Sequence, residues 1–145
     1  MDLKHFQSWE FREWWDQMHP STLKCFDLFR DFWGMRCDVS THKDALGRNL
    51  GPSSLSGHNV DKWGHVYAGD LFPAYIISPE CMARAYDCAR RAGATGIGLY
   101  TDTQPGFMIH LDTRPDRTPD NPRLWSRVNG KYKAIEAVMP EGWER

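Results

Sequence analysis

Apolar residues recur at spacings near three and four through the start of the chain, where Leu3, Phe6, Trp9, Phe11, Trp14, Trp15 and Met18 would share one side of a helix. The pattern predicts an amphipathic helix over residues 3–18, ended by His19-Pro20. Ser21 is placed to cap a second helix, in which Leu23, Phe26, Phe29, Phe32 and Trp33 again recur at helical spacing before Gly34 stops it. Residues 1–34 therefore read as a helical hairpin rich in aromatic rings, and those rings read as core.

From position 36 the period changes. Residues 36–40 suggest a short strand, and 66–72 alternate well enough for another, closed by Pro73. Between them, residues 41–64 are rich in Gly, Ser and Asn and hold no sustained period, and an irregular stretch of that length in a small domain is usually functional or mobile. Ser78-Pro79-Glu80 opens a helix with Met82, Ala85, Tyr86, Ala89 and Ala92 on its buried side, up to Gly93. Two strands follow, 96–100 and 106–112, joined by a connection of hairpin length. A second hairpin, 123–128 with 131–135, turns through Asn129-Gly130, the dipeptide favoured in type I′ turns. The expected fold is a small α+β domain, a largely antiparallel sheet with helices packed against it. It comprises one unit of residues 1–145: the N-terminal hairpin (1–34), a core carrying the candidate chemistry (36–127), and a C-terminal hairpin and tail (128–145).

Composition narrows the classes. A chain of 145 residues can bury a real core without disulfides. Its 18 Lys and Arg against 19 Asp and Glu leave a net charge of -1, spread without long blocks of either sign, which gives no electrostatic reason to expect a nucleic acid or an anionic membrane surface as partner. The four cysteines, Cys25, Cys37, Cys81 and Cys88, have neither CxxC nor finger spacing and are expected as free thiols. The N-terminus is too polar for a signal peptide, and no apolar run approaches the roughly 18 residues that span a bilayer. Synthesis in the cytoplasm is expected, with any action outside the cell dependent on other proteins. Oligomeric state is not specified, since the core accounts for the aromatic content.

Three stretches carry the candidate chemistry: Ser56-Gly57-His58, Ala68-Gly69-Asp70 and Phe107-Met108-Ile109-His110-Leu111-Asp112. They supply two imidazoles and a carboxylate, the ligand set of a catalytic zinc site that leaves its fourth position open. Side chains two apart on a strand share a face, so His110 would lie with Asp112 while Ile109 and Leu111 point into apolar packing. An acid on that face is costly unless it meets a cation or donors. Gly93-Ala94-Thr95-Gly96-Ile97-Gly98 lies between a helix and a strand, the reverse of the order a phosphate-cradling turn requires, and reads as helix cap and turn. Ser53, Ser54 and Ser56 lack a nucleophile-elbow pattern.

The ordered set Ser56-Gly57-His58-Asn59 to Trp63-Gly64, Ala68-Gly69-Asp70-Leu71-Phe72-Pro73, Gly96-Ile97-Gly98-Leu99-Tyr100 and Phe107 to Arg114 resembles the zinc D-alanyl-D-alanine carboxypeptidase family. That family includes dipeptidases and phage L-alanyl-D-glutamate endopeptidases and shares its fold with the hedgehog signalling domain. The resemblance, over about residues 36–127, implies a hedgehog-like fold and His58, Asp70 and His110 as zinc ligands. It departs in two places. Most members carry the first histidine seven residues before the aspartate, where this chain has Trp63; His58 is taken as the ligand because Ser-x-His precedes it as in the family, with His65 the alternative. Dipeptidase-type members also place an acid three residues before the last histidine, where Phe107 stands, so Asp112 is chosen as the proton-transfer carboxylate. Arg48 is the candidate cation for a developing oxyanion, with Lys43 second. The resemblance implies a zinc peptidase acting on peptidoglycan stem or cross-link peptides, in phage lysis or within a virion, released to the wall by other proteins. The alternative is a non-catalytic domain that keeps the fold and the metal.

Overall fold

Six strands form one mixed sheet in the computed structural model, which describes all residues from Met1 to Arg145. They are β1 (Cys37–Val39), β2 (Ala68–Pro73), β3 (Gly96–Tyr100), β4 (Met108–Asp112), β5 (Arg123–Val128) and β6 (Lys131–Lys133), arranged β1-β2-β4-β3-β5-β6. Every neighbouring pair is antiparallel except β3 and β5, which run parallel. The α+β class and the helices packed against the sheet agree with the sequence pattern. The parallel pair arises because the chain leaves β4 by residues 113–122 and returns on the far side of β3, an arrangement that no local signal encodes.

The alternation along the central strands separates two faces. Leu71, Ile97, Leu99, Ile109 and Leu111 are fully buried on one of them, in a single apolar cluster with Phe26, Phe29 and Trp33 of α1 (Pro20–Trp33) and with Met82, Ala85 and Ala89 of α3 (Pro79–Arg91). Gly69 is on this face too, and a Cβ there would lie 2.6 Å from the Phe26 ring, so glycine lets α1 approach β2 closely. Both helices begin and end as local chemistry dictates. Ser78 accepts from the Cys81 N–H at the start of α3, and Gly34 ends α1 in the left-handed region at φ 75°. The cap of α1 is His19 rather than Ser21: its imidazole accepts from the Ser21 N–H, and Pro20 takes the first turn.

The segment expected as a helix over 3–18 is instead a run of 3-10 turns at Ser8–Gln17, broken at Arg12, where φ is 54°. The break lets Phe6, Phe11 and Met18 all reach the core while Trp9 stays 74% exposed, and the Arg12 guanidinium donates to the Ser40 and His42 carbonyls. Phe11 stacks on Phe26 at 6.2 Å, so the aromatic core reading holds although the helical hairpin does not. The cysteines are free, as expected. At the other end the Asn129-Gly130 turn has both residues at positive φ, as a type I′ hairpin needs. The last strand is shorter than expected, because Ile135 leaves it to be buried in a 3-10 turn at Ile135–Val138. No helix is long and apolar enough to cross a membrane.

The irregular stretch 41–64 is held in place by Asn59. Its fully buried side chain accepts from the Leu50 and Asp61 N–H groups and donates to the Gly51 and Ser54 carbonyls, and it caps the one-turn helix α2 (Val60–Trp63). Arg48 N–H donates to the His58 carbonyl, and Val60 N–H to that of Arg48. His58 therefore sits on a fixed loop pressed against the sheet.

Candidate metal centre

The free face of the sheet carries the candidate chemistry in one row. Asp70 on β2 is opposite His110 on β4, His110 is opposite Gly98 on β3, and Gly98 is opposite Trp125 on β5. Residues in such a row project to the same side, and His58 comes down onto it from the loop. His58, Asp70 and His110 converge, with one donor atom from each lying within 4.8 Å of the others. Asp70 Oδ1 is 3.2 Å from His110 Nδ1 and 3.6 Å from His58 Nε2. All three are buried, at 3%, 8% and 6% exposure respectively.

The outer nitrogen of each ring is engaged. His58 Nδ1 donates to the Leu46 carbonyl, which leaves the Nε2 lone pair aimed at the cluster. His110 Nε2 donates to Asp112 Oδ2 at 2.7 Å, leaving Nδ1 towards Asp70. Ligand imidazoles are commonly fixed in this way, by a carboxylate or carbonyl on the far nitrogen. At 3.6 Å from a carboxylate oxygen the His58 Nε2 makes no hydrogen bond to it, so two electron-rich atoms face each other. A cation relieves that. Two ligands about 2.0–2.1 Å from a tetrahedral ion stand about 3.4 Å apart, between the 3.2 and 3.6 Å that separate Asp70 Oδ1 from the two ring nitrogens. The trio could thus hold a metal ion.

Burial, with help from nearby His110 and Arg48, pushes His58 down to about 4 despite Asp70. Burial also opposes charge on His110, but hydrogen bonds and charges from Asp112 and Asp70 outweigh it and raise the group to about 9. Asp70 and Asp112 are both held below the ordinary carboxylate value, burial being overcome by His110 and the neighbouring positive groups. In the ion-free protein, His110 therefore contributes stability that is fully present below its ordinary pKa of 6.5 and lost as pH rises through about 9. A metal ion binding here would have to displace that proton, with His58 already neutral. Affinity for an added divalent ion is expected to climb close to tenfold per pH unit between pH 6 and 8, with about one proton released per ion, as read by dye competition and proton release in weak buffer.

Asp112 does not occupy the place expected of a proton-transfer carboxylate. Its Oδ2 is on the far side of the His110 ring from Asp70, while Oδ1 lies 3.4 Å from both the Thr95 hydroxyl and the Arg114 N–H. Strand alternation rightly sets it beside His110, but that closeness turns it onto the ring rather than towards the cluster. In this arrangement it orients the His110 ring. The Asp112→Asn variant can still accept from His110 but lacks the charge, so affinity for an added divalent ion is expected to fall about 10–100-fold, and the ion-free protein should melt lower below about pH 9, where Asp112 supports the His110 imidazolium, as calorimetry and melting would report.

Arg48 is on the cavity wall, its Nη2 4.0 Å from Asp70 Oδ2 and its Nε donating to the Asp44 carbonyl. Lys43 is exposed and outside the cavity lining. The His65 ring is exposed and packs against His19 and Tyr67 at 5.2 and 6.1 Å, away from the trio. Phe107 packs on the apolar core.

An open cavity of about 1180 Å³ lies over the row. Sequence reasoning missed much of its wall: Tyr100, Arg117, Arg123, Trp125, Arg127 and Tyr132. The signal was the Gly-x-Gly of β3. A Cβ on Gly96 would lie 2.1 Å from Asp112 Oδ2, and one on Gly98 2.5 Å from the Trp125 indole. These two glycines leave β3 bare on the site face up to Tyr100, so Asp112 reaches in from one side and Trp125 lies across from the other, its ring 4.9 Å from that of His110. Comparison of the chain with protein-family models, with curated proteins and with solved structures finds no match.

Proposed function

We propose that this protein is a zinc-dependent peptidase with a hedgehog-like, D-alanyl-D-alanine-peptidase-like fold, hydrolysing an amide bond in peptidoglycan stem or cross-link peptides after release to the wall or from within a virion. One observation carries the reading: two imidazole nitrogens and a carboxylate, each ring fixed from behind, converge on the floor of an open cavity. A zinc ion held there would activate water and polarise the scissile carbonyl.

The chain's own groups supply the rest. Leu46 and Asp112 hold the two rings so that His58 Nε2 and His110 Nδ1 point inward. Arg48, with Nη2 4.0 Å from Asp70 Oδ2, would steady negative charge developing on the carbonyl oxygen. Asp112 is committed to His110, and Asp102 to Arg127 and the Gly130 N–H. Asp44, on the cavity wall, has a carboxylate with no internal partner, and to it falls acceptance of the water proton and its delivery to the leaving amine.

Incubation with purified muropeptides is expected to give products shorter by one peptide fragment, identified by mass, with a matching rise in free amino groups. A chelator should abolish them, and added zinc should restore them. A second reading is favoured by Phe107 where the dipeptidases carry an acid, and by the commitment of Asp112 to His110: a domain that binds the metal without catalysis. Tight zinc binding with every muropeptide left intact would select it.

A further inference from the structure

Five arginines line the cavity: Arg48, Arg114, Arg117, Arg123 and Arg127. Most are accounted for internally. Arg114 makes a two-point contact with Asp116 at 3.0 and 2.6 Å, Arg127 is paired with Asp102, and Arg48 is turned to the Asp44 carbonyl and to Asp70. Arg117 and Arg123 have no acidic partner and no side-chain hydrogen bond. Both are exposed towards the cavity; of the acids on its wall Asp70, Asp102 and Asp112 are engaged and only Asp44 is not, which leaves this part of the cavity positive.

Their placement relative to the trio follows from the sheet. Arg123 precedes Trp125 by two positions on β5 and so lies on the same face, opposite Gly96 as Trp125 is opposite Gly98. Its guanidinium sits 4.9 Å over the Trp125 ring, and that ring is 4.9 Å from His110. Stacking on an indole orients a guanidinium but leaves its N–H fork unused, and that planar fork matches a carboxylate at two points. Arg117 is carried by a turn in which its N–H donates to the Arg114 carbonyl. Two successive contacts of 4.9 Å set an upper limit of about 10 Å, up to about three residues of extended peptide at about 3.4 Å per residue.

We propose that Arg117 and Arg123 form a subsite for a carboxylate of the substrate, within about three residues of the bond that reacts at the His58-Asp70-His110 cluster; this rests on the metallopeptidase reading above. The glycines of β3 are what make the subsite possible. Gly98 admits Trp125, and Trp125 carries Arg123 towards the cluster.

The test uses the zinc-loaded full chain and direct calorimetric binding. The probes are monohydroxamates of straight-chain dicarboxylic acids, from glutaric to suberic, each beside its primary amide, so that each pair differs only by the charge at its tail. At the best length the carboxylate is expected to bind about tenfold tighter than the amide. Arg117→Gln with Arg123→Gln should erase that preference while leaving amide binding unchanged, since both side chains are exposed and neither touches the trio. Equal affinity of acid and amide in the parent protein, or a preference that survives the double variant, overturns the subsite and marks these arginines as solvated surface charges. Failure of every hydroxamate to bind, acid and amide alike, overturns the metal reading itself and the subsite with it.

Discussion

Replacing His58 by alanine is expected to abolish zinc uptake and peptide cleavage together, while replacing His65 by alanine leaves both at parent levels. The two residues are seven positions apart on one connection, yet only His58 has its ring among Asp70 and His110, at 5.0 Å from the His110 ring, whereas His65 is exposed beside His19 and Tyr67. Losing a directly ligating ring should cost more than the 10–100-fold in affinity that goes with losing an outer partner, and activity should drop to the chelated background. An exposed ring with no tie to the centre should change stability by no more than about 0.5 kcal/mol. Calorimetric zinc titration and the muropeptide assay, run on both variants, check the pair. The opposite outcome, activity lost in His65→Ala and kept in His58→Ala, would move the first ligand and undo the geometry built around the Leu46 carbonyl.

The largest effect on stability is expected at Phe26. This ring is fully buried, stacks on Phe11 and lies beneath Gly69, next in sequence to Asp70. Phe26→Ala removes the contact between α1 and β2 and leaves a cavity that the surrounding strands cannot close, at a cost of about 3–5 kcal/mol. For a domain of this size the midpoint of thermal unfolding should fall by roughly 10 °C. Weakened zinc binding should accompany that fall, because the strand that presents Asp70 loses its support. A melting curve and a zinc titration on the same sample measure both.

How much of this was legible depended on the range of the interaction. Gly34, the Ser78 cap and the Asn129-Gly130 turn act within a few residues, and the chain spells them out. Strand alternation placed His110 and Asp112 on one face and the isoleucine and leucine on the other. The aromatic spacing of residues 3–18 misled, because 3-10 turns with a break at Arg12 bury the same rings as a regular helix would. Asn59 was invisible as an organiser, since its four hydrogen bonds go to loop positions that acquire meaning only once the loop has closed. The parallel pairing of β3 with β5, and with it the approach of Trp125 to His110, depends on a crossover outside any local pattern.

That Asp70 and His110 are directly opposed on adjacent strands ties ion capture to chain alignment. Sliding either strand by a single position would send its ligand through to the helix side and bring an apolar side chain up in its place. A bound cation would then act as a proofreader of assembly. It rewards only the frame in which β2 and β4 meet correctly, and it lends its affinity to the native state against every misaligned competitor.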